Sequence, residues 1–372
     1  MTPAKHDKSR DDSAVPEEAG YALLVALLAI IGLTALATGG FILSDAERAT
    51  SGAYGTSVDA FYVAETGLHQ YLATWSGVPG SPQTYGFPDG TATVSASRMA
   101  ETATDGQSVY RVSSVGRVDV PGGGRADREV SVQAVLDPFM STSPGAMVSG
   151  TGVEKNGSSG SINGNDACGG ADQAGLYVPP DGADDVDESI TSGDPDVQED
   201  SDPFHELEWD WRDVIEEREM NFTHVTHGTS PGSGTWPDYD NLPSDEYPVI
   251  YADQYPNDYT QQQDQQTFTV DGNDDGRGTL IVRGNLDMNG SFEWDGMILV
   301  GGRLISDGNQ TITGTLITGL NETLDPSETT AEGNIDLGNG TFTIQYDSCE
   351  VQKAGQAGAT LVAKDHTWSE GF

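Results

Sequence analysis

Between positions 272 and 314 a glycine returns at every sixth residue, at 272, 278, 284, 290, 296, 302, 308 and 314. No other feature of the chain constrains its backbone as tightly. Sliding the sequence by eighteen sharpens the match: GTLIVRGNL at 278–286 falls on GMILVGGRL at 296–304, and both fall on GTLITGLNE at 314–322. Leu280, Ile298 and Leu316 coincide, as do Ile281, Leu299 and Ile317. Three six-residue sides closing one turn of eighteen predict a parallel β-helix, with short strands stacked like on like and aliphatic ladders inside. The rival is an antiparallel meander, because Asn289-Gly290, Asp295-Gly296 and Asp307-Gly308 are all good two-residue hairpin turns. The aliphatic match at eighteen, absent at six, favours the β-helix. Residues 144–166 share its glycine and small-residue texture and are expected to form the opening coils, with 334–349 as the closing ones.

Residues 176–258 interrupt that texture with Pro, Asp and aromatic residues and are expected to be a loop-rich insertion over one face, with one helix at 209–218. Its aromatic residues, Trp209, Trp211, Trp236, Tyr239, Tyr247, Tyr251, Tyr255 and Tyr259, have two readings. They cover a sheet, which is the commoner use, or they line a carbohydrate-binding surface.

Near the other end, residues 21–43 carry no charge and as a helix would be roughly 35 Å long, enough to span a bilayer. From Ser44 the sequence turns polar without a proline, and Tyr54, Val58, Phe61, Glu65, Leu68 and Leu72 recur at alternating steps of four and three. That pattern predicts one helix continuing to about Trp75, apolar all round in its first half and amphipathic in its second. Glu65 lies on the apolar stripe and is expected at the edge of a globular domain, where its carboxylate can be solvated or paired. A cleaved signal peptide is the alternative, with Ala35-Leu36-Ala37 as its small-residue site. It has no use for the amphipathic extension, and Lys5, Lys8 and Arg10 are outnumbered in the leader by Asp7, Asp11, Asp12, Glu17 and Glu18.

A polar leader ending in Gly20, then Tyr21 opening the apolar stretch, SDAER at 44–48 and FYVAETGL at 61–68 together resemble the amino-terminal region of PilX-like minor pilins and related type IV pseudopilins. The resemblance covers about the first 75 residues. It implies that prepilin peptidase cuts between Gly20 and Tyr21 and methylates the new terminus. It also implies an inner-membrane anchor that is later drawn into a pilus or type II secretion pseudopilus among other pilins. Major pilins carry a glutamate as the fifth mature residue, and this chain has Val25 there. That departure, shared with PilX-like and tip-type pseudopilins, implies a minor, tip-proximal or priming subunit, exposed on the pilus or cell surface and without enzymatic activity.

Between 91 and 137 three segments alternate in the strand period, TATVSAS, SVYRVSSVGRVDV and REVSVQAVL, with PGGGRAD at 121–127 joining the last two. The expected fold is therefore α+β. It comprises a leader at 1–20, a helix at 21–75, a small antiparallel sheet at 76–137 and a β-solenoid at 138–372.

The formal charge of -42, with 17 basic against 59 acidic residues, would repel nucleic acid and anionic headgroups. Spread through the chain as short Asp-rich runs, it suits salty surroundings, where counter-ions screen self-repulsion. Cys168 and Cys349, the only cysteines, are expected to pair outside the cytoplasm. Asp271, Asn273 and Asp275 match the first half of a calcium loop, but the twelfth position is Val282, so a plain acidic turn is favoured. His224 and His227 have ligand-like spacing without a further motif. No other metal, cofactor or catalytic signature stands out. Two further functions stay open: a membrane-anchored β-helical polysaccharide lyase or hydrolase, and a self-polymerising solenoid of the bactofilin kind.

Overall fold

The computed structural model describes residues 18–371 apart from 76–80, 102–106, 121–123, 137, 156, 208, 217–219, 233–234, 254–266, 273, 325–334 and 339. One helix, α1 (Glu18–Ala73), runs for 56 residues, about 84 Å. Four antiparallel strands follow: β1 (Gln83–Phe87), β2 (Gly90–Glu101), β3 (Ser108–Val120) and β4 (Gly124–Leu136). They lie side by side in chain order. Strand β1 is an addition to the three expected from sequence.

Only the second half of α1 packs on this sheet. Ala60, Val63, Ala64, Leu68, Tyr71 and Trp75 are buried there. The expected stripe is rotated relative to this face: Leu68 is buried, Val58, Phe61, Glu65 and Leu72 are half-buried along its flanks, and Tyr54 is 72% exposed. Close approach is the reason. A Cβ on Gly67 would collide with the Cβ of Ala92, and one on Gly116 of β3 would meet the carbonyl of Ala60. Small residues therefore hold the centre of the contact and large ones are displaced to its rims. Gly67→Val should cost about 3 kcal/mol, as overpacking does. Hydrogen exchange should quicken in α1 beyond Thr56, and exchange unchanged from wild type would refute this docking geometry.

The second sheet is parallel throughout. Its strands are β5 (Gly145–Ser149), β6 (Val153–Glu154), β7 (Gly160–Asn163), β8 (Ala174–Val178), β9 (Thr191–Ser192) and β10 (Val197–Glu199). After the short helix α2 (Trp211–Ile215) come β11 (His224–Thr226), β12 (Val249–Ala252), β13 (Thr267–Val270), β14 (Gly276–Val282), β15 (Asn285–Val300) and β16 (Leu304–Thr318). Strands β17 (Ile335–Asp336) and β18 (Thr341–Gln345) complete it. The register is the eighteen-residue one: Leu280 pairs with Ile298 and Ile298 with Leu316, in parallel. This overturns the antiparallel meander.

The order of stacking differs from the order of the chain. One continuous set of rungs reads β10-β8-β5-β16-β15-β14-β12-β11. The chain thus enters mid-stack at β5 and climbs through β8 to β10. It then crosses back along the stack and climbs again from β11 to β16, whose Leu316 pairs with Met147 of β5. The expected opening and closing coils consequently lie against each other, with β17 on β6 and β18 on β7. Residues 176–258 also do more than cover a face, since β10, β11 and β12 come from within them. The crossing itself covers the outer side, where Phe222 stacks on Tyr251 at 4.4 Å and Tyr177 faces His205. Trp211 is buried there and donates from Nε1 to Asn321 Oδ1 at 2.8 Å. Asp210 caps α2, which is shorter than the helix expected at 209–218.

Helix α3 (Ser348–Gly358) then lies against β14, β15 and β16, with Thr279 donating to the carbonyl of Ala354. The last two strands, β19 (Leu361–Ala363) and β20 (Ser369–Gly371), leave the parallel sheet and pair antiparallel with β4. The boundary drawn at 138–372 is therefore corrected: the parallel sheet is inserted between two neighbouring strands of the antiparallel one. Leu361 and Ala359 fill the first core because the chain returns to it.

Candidate functional site

Among the described residues, none covers the first half of α1. Its most apolar stretch is long and apolar enough to cross a membrane and none of it is buried. Tyr21 is 75% and Val25 50% exposed, and Leu24, Leu28, Ile31, Leu36 and Phe41 are likewise open. A contiguous apolar surface of this extent is unfavourable in water by about 25 cal/mol per Å², as both a membrane anchor and a signal sequence would be. The polar atoms within it are satisfied locally. Thr34 donates to the carbonyl of Ile30 at 2.9 Å and Thr38 to that of Thr34 at 2.8 Å, so neither hydroxyl needs water. The first charges, Asp45, Glu47 and Arg48, follow the apolar stretch. The Gly20-Tyr21 junction lies in helical backbone, and the leader before Glu18 lies outside the described residues.

A second site is the seam inside the parallel sheet where its early strands β5–β7 pair with its late strands β16–β18. Cys168 and Cys349 are bonded, their Cα atoms 5.8 Å apart across 181 residues of sequence. Register explains their meeting, because Asn163 pairs with Gln345 and each cysteine follows a few residues later. Asp166 ties the same corner. It accepts from the amides of Cys168, Gly170 and Ser348 and from the Ser348 hydroxyl at 2.6 Å. Burial works to raise its pKa, but the Ser348, Cys168 and Gly170 bonds outweigh it and hold the carboxyl below its ordinary value. Asp347 lies close enough to both sulfurs to share an ion with them, yet the sulfurs are bonded to each other and are not thiolate ligands.

The remaining candidates do not assemble. Asp271 and Asp275 join no group of three ligand atoms among the described residues, and Asn273 lies outside them. Asp274 and Asp275 are instead raised in pKa by burial and by neighbouring carboxylates. His224 is held towards its neutral form by burial in β11, and His227 Nδ1 lies 3.2 Å from the Asp253 carbonyl. Of the aromatic residues, Trp211, Tyr247 and Tyr251 are buried, while Trp209, Trp236 and Tyr239 pack half-buried on the same core. Tyr255 and Tyr259 lie outside the described residues. A polar cluster that the sequence did not announce joins α3 to the loop before β12: Tyr247 donates to Glu350, which also pairs with Lys353 at 2.7 Å. No family model, curated protein or solved structure matches this chain.

Proposed function

We propose that the chain is a minor, non-enzymatic subunit of a type IV pilus or type II secretion pseudopilus, acting at the tip or in priming assembly. On this reading the parallel sheet is a β-solenoid displayed beyond the filament. The observation that supports it most is α1, one unbroken helix whose bare apolar half continues into a half docked on an antiparallel sheet. In such a subunit the bare half sits in the inner membrane before assembly and among sibling helices afterwards. Both are apolar surroundings, and both suit a stretch whose threonine hydroxyls are bonded to its own backbone. Val25 carries no charge to neutralise the amino terminus of a neighbouring subunit, which suits a place at the end of a filament. The inserted parallel sheet hangs from adjacent strands β4 and β19, so it is held at both ends of its chain.

Prepilin peptidase is the expected processing enzyme, and other pilins the expected partners. The test is shearing. An epitope-tagged chain at its native level should appear in the sheared filament fraction in cells with prepilin peptidase and remain in the membrane fraction without it. Release into the medium independent of that peptidase would contradict the reading.

A further inference from the structure

The stack of rungs stops at β10. Asp196 accepts from the amide of Leu176 through its carbonyl, and Asp200 donates to the carbonyl of Val178. Those bonds place the backbone groups of every second residue, including Gln198, towards β8. The N–H and C=O groups of Val197 and Glu199 point the other way, where no further strand lies among the described residues, and of these the Glu199 carbonyl accepts from Gln198 Nε2 at 3.3 Å. The last rung is made of β10, β9 and the bridge at Asp185. Over it opens a cavity of about 440 Å³ lined by Ala183, Val186, Thr191 and Val197, with Asp184, Glu188 and Glu199 among its walls. The three carboxylates are exposed, and none is ion-paired among the described residues.

A stacked-strand protein normally closes its last rung with a polar cap, because an open rung offers both a free strand edge and the end of its core. Here the edge is unpaired by any described strand, Ala183, Val186 and Val197 supply the apolar part of a mostly polar lining, and the rim is negative. We propose that this end of the parallel stack is a docking site for an extended, basic segment of another protein. That segment adds as one more parallel strand on β10 and places a lysine or arginine among Asp184, Glu188 and Glu199. Backbone pairing supplies affinity and the cavity supplies selection for the cation. A second copy of this chain is disfavoured as the occupant, since at a formal charge of -42 two copies repel. The inference does not depend on the pilin reading.

The test uses the full chain in detergent micelles and a labelled heptapeptide, acetyl-Thr-Val-Thr-Lys-Thr-Val-Thr-amide, followed by anisotropy. Three comparisons accompany it: the same peptide with Glu for Lys, the same peptide N-methylated on alternate residues along either edge, and the Glu188→Lys, Glu199→Lys variant. Binding should fall at least tenfold with the Glu peptide, with methylation of one edge only, and with the variant. Far-ultraviolet circular dichroism should show the variant folded. Both substituted side chains are exposed, and Glu199→Gln with Glu188→Gln supplies a milder pair if the charge reversals disturb folding. Absence of binding overturns the proposal. So does binding indifferent to both edges, which would mean charge attraction without strand addition, or binding unchanged in the variants, which would place the peptide elsewhere.

Discussion

Gly314→Ala should lower the stability of the parallel sheet by about 2–6 kcal/mol. Gly314 has φ 134°, a left-handed value, and stacks in register on Gly296 (φ 124°), which stacks on Gly278 (φ 113°). A Cβ at 314 would fall on the carbonyl oxygen of Gly296. The backbone strain is worth about 1–3 kcal/mol, and forcing the two rungs apart adds about 1–3 kcal/mol more. The rungs are shared, so the loss should spread: hydrogen exchange ought to quicken in β15 and β16 together. Gly52→Ala is the internal control. Its Cβ would meet nothing within 4 Å, and it lies in α1, so the exchange should stabilise by about 1 kcal/mol. Equal midpoints for Gly314→Ala and wild type would mean that the close approach of strands at Gly278, Gly296 and Gly314 does not require glycine.

Loss of the disulfide should be comparably damaging. Opening a link across 181 residues releases about 5 kcal/mol of chain entropy in the loop-closure model, an upper figure because real unfolded chains keep some order. Cys168→Ser should lower Tm by about 10 °C, taking roughly 2–4 °C per kcal/mol for a unit of this size. Location matters as much as size. The bond lies beside β7 and β18, so amides of those strands and of the β5–β16 contact should lose protection first. Strands β2 and β3 of the other sheet should keep theirs. Tm and exchange unchanged by Cys168→Ser would show that the seam holds without the bond.

Much of this architecture is legible in the sequence, and the limits have physical causes. The parallel register was legible because similar aliphatic side chains pack well across paired strands, so Leu280, Ile298 and Leu316 reappear at the eighteen-residue spacing of the pairing. Entry at mid-stack was not. Met147 lies on Leu316 and Leu176 on Met147, but these strands are too dissimilar in spacing to extend the repeat. The return of β19 and β20 to the first sheet was hidden because two three-residue strands carry no periodicity. For α1 the helical period was plain while its buried face was displaced. Hydrophobicity ranks Phe61 and Tyr54 above Gly67 and Ala64, whereas the contact is governed by how closely two backbones can approach. The open rung at β10 had no sequence signal beyond the ordinary density of acidic residues around it.

Whether α1 remains whole in the finished protein is the question on which the filament assignment turns, and intact mass with terminal sequencing of the chain recovered from cells answers it. A mature chain beginning at N-methylated Tyr21 and retaining the apolar stretch is the predicted result. A chain beginning near Thr38, stripped of that stretch, would contradict it.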